Sequence, residues 1–367
     1  FFIFHIYFLN IFNLILKVII NIKYFINFCM LIARAPLRIG LAGGGSDVPP
    51  FCHEEGGSVI NATIDKFVFA FLEESKNKEI LFVNQDLDKV NKYNLNQIKE
   101  IDSQKSLIEG VYSYFCKRYN NGNLIALRIE TYCEIPFGSG LGTSSTIVVA
   151  LCELLNNFFN AKLSRYELAK VAYQIERENL GLAGGYQDHF SASFGGINMI
   201  NIGPENHFNV ENLNIKKQTL LQLESSILLA YSGLSRESEK IIIDQKLVYQ
   251  KDSSISALRN IKHEAIKLKK IILNNDFESL FKIINYGWEQ KKKTSKLVSN
   301  AYLDDLINTC FEFEAKACKV SGAGGGGFII IMINPQKKYK LMKFLKTQHI
   351  FMLNFTFVNQ GCVSWNI

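Results

Sequence analysis

Pro136-Phe137-Gly138-Ser139-Gly140-Leu141-Gly142-Thr143-Ser144-Ser145 sets three glycines at alternate positions, directly ahead of an apolar run that reaches residue 159. Glycine lets a backbone approach a ligand with no Cβ in the way, and a helix starting behind such a loop presents free N–H groups and the positive end of its dipole. The stretch therefore reads as a cradle for polyphosphate, with a strand over 124–135 that Pro136 ends and a helix over 144–159 behind it. It is not a Walker A loop, because no lysine follows the glycines. Nor is it G-x-G-x-x-G, because the spacing is G-x-G-x-G and no acid closes a second strand about 20 residues on. Thr143, Ser144 and Ser145 offer hydroxyls where a Mg²⁺ ion bridging nucleotide phosphates would sit. Taken alone, the pattern also fits a tight turn with Ser and Thr as helix caps.

Three further constellations flank this loop. Ala35-Pro36-Leu37-Arg38 precedes Ala42-Gly43-Gly44-Gly45-Ser46-Asp47, which puts a cation and a carboxylate on either side of a first glycine loop; Asp47 suits sugar hydroxyls or simply a turn. Downstream, Glu176 lies in the last turns of a helix that Ser164-Arg165-Tyr166-Glu167 opens with capping-box spacing, and Asp188 follows a loop over 181–188. Two carboxylates so placed divide labour well, one holding Mg²⁺ and one accepting the proton of an attacking hydroxyl, although a solvated Glu and a loop Asp are the plainer reading. Ser321-Gly322-Ala323-Gly324-Gly325-Gly326-Gly327 runs straight into an apolar strand, so its backbone needs freedom or close approach that side chains would block.

Around these loops, strands are expected over 31–41, 59–73, 197–202, 227–231 and 327–333. Helices are expected from 164 to about 180 and over 236–250, 254–274, 276–292 and 302–317. Residues 84–105 are polar and broken, which predicts surface without chemistry, and 203–224 reads as polar linker. The simplest partition is two α+β domains, 30–222 and 223–367.

The 367 residues are 48% hydrophobic and 20% charged, which excludes disorder and a disulfide miniprotein, and the net charge of +7 is scattered rather than gathered into a stripe. Eight cysteines without a C-x-x-C pair predict reduced thiols and a cytoplasmic protein. Residues 1–29 stand apart: seven Phe and eight Ile, and no Gly, Ala, Ser, Thr, Asp or Glu. That break predicts that Met30 starts the functional protein and that 1–29 is an upstream extension, with a weak membrane segment as the alternative.

From residue 32 onward the loops together resemble the GHMP kinase superfamily. Ala35-Pro36-x-Arg38 with Asp47 is similar to its first motif, residues 136–145 to its second and most specific one, and Ser321 to Phe328 to its third. Within the superfamily, Ala42 to Pro49, Gly184-Gly185-Tyr186-Gln187-Asp188 and Trp288-Glu289-x-Lys291-Lys292 look most like the heptose 7-phosphate kinases; His189 departs from the Gln expected after the Asp. The resemblance implies a ribosomal S5 domain 2-like first domain and a ferredoxin-like second. It implies ATP and Mg²⁺ as cofactors, a sugar phosphate as partner, no nucleic acid and no membrane for 30–367; oligomeric state stays open. The implied reaction carries the γ-phosphoryl group to the anomeric hydroxyl of D-glycero-α-D-manno-heptose 7-phosphate, on the route to nucleotide-activated heptose for surface polysaccharide. Another sugar 1-kinase of fucose or galactose type, or a non-catalytic sugar sensor, are the alternatives.

Carried over by position, Gly138, Ser139, Gly140, Leu141, Gly142, Thr143, Ser144 and Ser145, with Gly324 and Gly325, hold ATP, and Ser144 and Glu176 hold the metal. Asp188 is base or orienter, Arg38 offsets developing charge, and Ser46 and Asp47 meet the sugar. Arg236, Lys291 and Lys292 are candidates for the 7-phosphate.

Overall fold

A computed structural model describes residues 30–367 apart from 76, 204–206, 235–237 and 250–251, so the expectations for 1–29 and for Arg236 fall outside the described residues. The described residues build two sheets. The larger has the order β12-β1-β2-β5-β3-β4, from strands β1 Leu31–Ala42, β2 Gly57–Glu74, β3 Glu79–Asn84, β4 Lys89–Asn94, β5 Leu127–Cys133 and β12 Val363–Asn366. β6 Ile197–Gly203 pairs with the first half of β2, and β7 His207–Asn212 extends it. β2 serves both arms of this sheet because it is 18 residues long, and its register against β1 shifts twice, between Pro36 and Arg38 and between Gly40 and Ala42. Those irregularities bend the sheet just where β1 runs into the first glycine loop.

The smaller sheet, β11-β8-β10-β9, comprises β8 Ile227–Tyr231, β9 Ala315–Val320, β10 Phe328–Ile333 and β11 Met352–Leu353. β10 is an unbroken apolar run with every residue buried, as a strand covered on both faces requires. The chain then returns to the first sheet, where β12 pairs with β1.

Helices cover these sheets. In order they are α1 Phe51–Glu54, α2 Leu107–Tyr119, α3 Thr143–Phe158, α4 Arg165–Tyr173, α5 Gln187–Phe194, α6 Lys217–Ser226, α7 Ser238–Val248, α8 Asp252–Leu273, α9 Phe277–Lys292, α10 Ala301–Glu312 and α11 Pro335–Thr347. The predicted capping box at Ser164 is present, with Glu167 accepting from the Ser164 N–H at 2.8 Å and Ser164 Oγ from the Glu167 N–H at 3.3 Å. Among the described residues no helix is long and apolar enough to cross a membrane, and the seven described cysteines are buried and unpaired by disulfide.

The polar stretch after residue 84 lies largely at the surface, as expected, and forms β4 in a hairpin with β3. Three sequence expectations are corrected. Residues 203–224 contain β7 and α6 rather than linker. The helix expected over 302–317 ends at Glu312, so that β9 begins at Ala315. The loop expected over 181–188 is cut short, because α5 begins at Gln187 and Asp188 lies in its first turn.

Candidate active site

The four glycine segments converge on one cavity of about 370 Å³, walled also by α7 and α9. In the second loop Gly138, Gly140 and Gly142 all adopt left-handed φ (76°, 80° and 84°), which is the reason for the alternate spacing. Gly138, Gly140, Gly142, Thr143, Ser144 and Ser145 line the cavity, and Gly142 caps α3, so the N-terminus of that helix opens into it. Ser139 and Leu141 turn inward instead. Ser139 Oγ is 3.2 Å from Thr143 Oγ1, and the Leu141 carbonyl accepts from the Arg38 N–H at 3.2 Å.

Arg38, buried at the register shift in β1, forks between the two halves of this site. Its Nε and terminal nitrogen both reach Asp188 Oδ1 at 2.5 Å, and the other terminal nitrogen donates to the Gly140 carbonyl at 2.8 Å. Asp188 is thereby pinned against Gly142, where a Cβ would lie 3.1 Å from its carboxyl carbon. The carboxylate faces the mouth of the phosphate loop.

Glu176 lies where α4 widens into a π-type turn over Gln174–Asn179, with the Leu180 N–H donating to the Ile175 carbonyl five residues back. Such a turn brings consecutive side chains inward, and it recurs at functional sites. Glu176 Oε1 accepts from Ser144 Oγ at 2.6 Å, while Oε2 is 2.6 Å from His189 Nε2 and 3.2 Å from Arg177. Burial pushes this carboxyl up, but Arg177, His189 and Ser144 overcome it and hold it down at about 2. His189, the departure noted in the sequence, thus acts on Glu176 rather than on the cavity.

Ser46 and Asp47 are wholly buried and do not meet the cavity, which corrects their expected contact with the sugar. Asp47 Oδ1 accepts from the Gly45 N–H at 3.1 Å and Oδ2 from the Gln187 N–H at 3.0 Å, so this carboxylate caps α5 from 140 residues away. Burial pushes the Asp47 carboxyl up, the Gln187 and Gly45 N–H groups oppose that, and the charge of Asp188 adds to it. Ser46 Oγ donates to the carbonyls of Gly43 at 2.8 Å and Ser58 at 3.0 Å.

With this geometry in place, kinship is informative. The family descriptions GHMP kinases N terminal domain and GHMP kinases C terminal match residues 106–196 and 263–349. The chain is 34% identical over 334 residues to the D-glycero-alpha-D-manno-heptose 7-phosphate kinase of Campylobacter jejuni subsp. jejuni, spanning 91% of this chain and 98% of that protein. The chain is a GHMP kinase. A crystal structure of a D-glycero-D-manno-heptose 1-phosphate kinase from Bacteroides thetaiotaomicron superposes with a TM-score of 0.77 at 33% identity, covering 92% of this chain and 99% of that one. A bifunctional fucokinase/GDP-fucose pyrophosphorylase of Arabidopsis thaliana is 24% identical, over 86% of this chain but 31% of its own. As a GHMP kinase the protein is an ATP-dependent phosphotransferase with an alcohol acceptor.

The other residues expected in this GHMP kinase site separate by direction. Lys291 lines the cavity and donates from Nζ to the carbonyls of Gly44 at 3.1 Å and Gly322 at 2.7 Å. Lys292 points away, paired with Glu289 at 2.7 Å beside a different hollow that Trp288 and Cys318 line, so its expected role is corrected. In the fourth run, Gly322 and Ala323 meet the cavity, whereas a Cβ on Gly324 would lie 2.6 Å from the Val298 carbonyl; that glycine answers to packing rather than ATP. Gly325, likewise absent from the cavity wall, donates its N–H to the same carbonyl at 2.5 Å. Arg177 was missed: it binds Ser145 Oγ at 2.8 Å and the Ala183 carbonyl at 3.1 Å. Only its position next to Glu176 hinted at it.

Proposed function

We propose that this GHMP kinase transfers the γ-phosphoryl group of ATP to the anomeric hydroxyl of a heptose 7-phosphate, D-glycero-α-D-manno-heptose 7-phosphate being the substrate the full-length relative's name carries. The observation that carries the chemistry is Asp188, held by Arg38 at 2.5 Å against the phosphate loop. The acceptor oxygen bonds to the γ-phosphorus, the bond from that phosphorus to the bridging oxygen breaks, ADP leaves, and the hydroxyl proton passes to the Asp188 carboxylate. Because such transfers run through a loose transition state, orienting the hydroxyl matters at least as much as basicity.

Mg²⁺ fits the donors present. Ser144 Oγ lines the cavity and the charged Glu176 carboxylate is buried directly behind it at 2.6 Å, two hard oxygen groups of the kind that Mg²⁺ takes. Ser144 and Glu176 would hold it, and it would neutralise charge on the phosphates. The base of ATP fits a neighbouring hollow of about 310 Å³ with Phe82, Leu87, Ile147 and Leu180 on its walls, which shares Phe137 and Leu182 with the main cavity. On that reading the stretch after residue 84 does take part in binding. Lys291 and Arg177, both on the main cavity, supply cations for the sugar's own phosphate.

The test is ADP release with ATP and Mg²⁺ against heptose 7-phosphate, fucose, galactose and mevalonate, with ³¹P NMR to locate the new phosphate. Turnover with heptose 7-phosphate and an anomeric phosphate signal are expected. Preference for an unphosphorylated sugar would move the protein to the fucose or galactose type, and absence of ATP turnover would make it a sensor.

A further inference from the structure

The first glycine loop is gripped from the second sheet's layer at three neighbouring backbone atoms. Lys319 on β9 donates to the Leu41 carbonyl at 3.1 Å, Glu264 on α8 accepts from the Gly43 N–H at 3.4 Å, and Lys291 on α9 donates to the Gly44 carbonyl at 3.1 Å. All three side chains are buried, at 8%, 2% and 7% exposure. From its other side the loop is rooted in the first sheet: Ser46 Oγ ties it to Ser58, and a Cβ on Gly43 would lie 2.0 Å from the Ser58 carbonyl. The loop is thus held between two layers that belong to different sheets, and its Gly45 is part of the cavity wall.

Glu264 is the unusual member. A Cβ on Gly287 would lie 2.1 Å from the carboxyl carbon of Glu264, so α9 keeps a glycine where that carboxylate needs room. Its Oε1 has no hydrogen-bond partner among the described residues, and its bond to the Gly43 N–H is long. A buried carboxylate half-satisfied in this way is expensive as a structural strut, and an apolar side chain would fill the space at lower cost. What the charge does is balance the two buried lysines on the same loop.

We propose that Glu264, together with Lys319, is a positioning residue that sets where Gly43, Gly44 and Gly45 stand at the cavity, and through them where the acceptor is held relative to Asp188. It acts through the loop and does not touch the substrate. The inference rests on the reading that the acceptor lies at the Gly45 and Lys291 end of the cavity.

The test measures KM for acceptor, KM for ATP, kcat and thermal unfolding for the parent, Glu264→Gln, Glu264→Asp, Lys319→Met and the double variant Glu264→Gln/Lys319→Met. In assays at alkaline pH, where Glu264 is ionised, losing the charge at 264 is expected to raise the acceptor KM about tenfold, the scale of one charge-assisted contact, with ATP KM within about twofold. Glu264→Asp keeps the charge and falls between. The double variant, free of both buried charges, is expected nearer the parent than the two single effects combined. Equal KM values in parent and Glu264→Gln overturn the proposal, as does a loss of kcat and both KM values that tracks the melting temperature. Should Glu264→Gln not fold, Gly287→Ala, which pushes the carboxylate off its slot, must give the same selective rise in acceptor KM, and its absence overturns the proposal equally. Failure of the parent to use heptose 7-phosphate strikes only the substrate reading; the series is then run with whichever acceptor the sugar panel identifies.

Discussion

Glu176 and Glu264 are the same side chain at nearly the same burial, set behind different walls of one cavity, Glu176 behind Ser144 and Glu264 behind the first glycine loop, and they titrate in opposite directions. Burial pushes both up. At Glu176 the charge of Arg177 and close contacts from His189 and Ser144, at 2.6 Å each, reverse that and hold the carboxyl at about 2. At Glu264 the opposing influences are Lys319, the Gly43 N–H at 3.4 Å and Lys291, and they leave it raised to about 7. The number and closeness of donors, rather than depth, decides the ionisation. The Glu176 wall is a tightly bonded charged unit suited to metal and phosphates, while the Glu264 wall is a looser clamp on a loop.

The largest expected effect lies on the Glu176 wall. Asp188→Asn keeps a group that fits beside Arg38 but cannot take a proton, so kcat should fall by about a hundredfold or more, with ATP affinity little changed. Single-turnover rates with saturating acceptor check this, and a kcat within about threefold of the parent would remove Asp188 from the chemistry.

Next in size, Ser144→Ala and Glu176→Gln dismantle the metal side of that wall. Each should lower the rate by about tenfold or more and raise the Mg²⁺ concentration needed for half-maximal turnover, with acceptor KM little changed. A Mg²⁺ titration that superposes on the parent's in both variants would break the contrast between the two walls.

The clamp wall should respond in binding. Lys291→Met is expected to raise the acceptor KM about tenfold, whereas Lys292→Met should leave it within about twofold. Adjacent positions on a helix point about 100° apart, so only one of two neighbouring lysines can face the cavity. Equal effects of the two substitutions would show that charge near the site, and not a directed contact, is what matters.

The same directional problem marks what a sequence can carry. The second loop was legible because positive φ at every other residue has a spelling, three glycines at alternate positions, and the capping box at Ser164 has one too. α5 was not legible, because Tyr186 supplies no side-chain cap and the Gln187 N–H is met by Asp47 from far away in the chain. That same distant bond withdraws Asp47 from the cavity. Glu264 and Lys319 look like ordinary charged residues in an amphipathic helix and a strand; their burial exists only once two sheets have closed on the first loop. The resemblance puts Gly324 and Gly325 on ATP, but glycines are also demanded wherever one backbone rests on another, as Gly327 does on Ser139, where a Cβ would lie 2.4 Å from the carbonyl.

The smallest expected effect is a pair of pH slopes in stability. Glu264 has its folded pKa raised from 4.5 to about 7, so the folded state keeps a proton that the unfolded chain has released. Its stabilising contribution is complete below pH 4.5 and is lost as pH rises through about 7. Glu176, lowered from 4.5 to about 2, runs the other way: its contribution is present above pH 4.5 and is lost as pH falls toward 2. A single group changes the slope by at most about 1.4 kcal/mol per pH unit. Urea unfolding of the parent, Glu264→Gln and Glu176→Gln across this range separates them. Glu264→Gln should flatten the decline in stability between the unfolded and folded pKa values of Glu264 and leave the acid limb alone. Glu176→Gln should do the reverse, softening the acid limb while the neutral interval keeps the parent's slope. If both variants share the parent's slopes throughout, the two carboxylates do not differ in the way their surroundings require, and the contrast between the walls fails at its root.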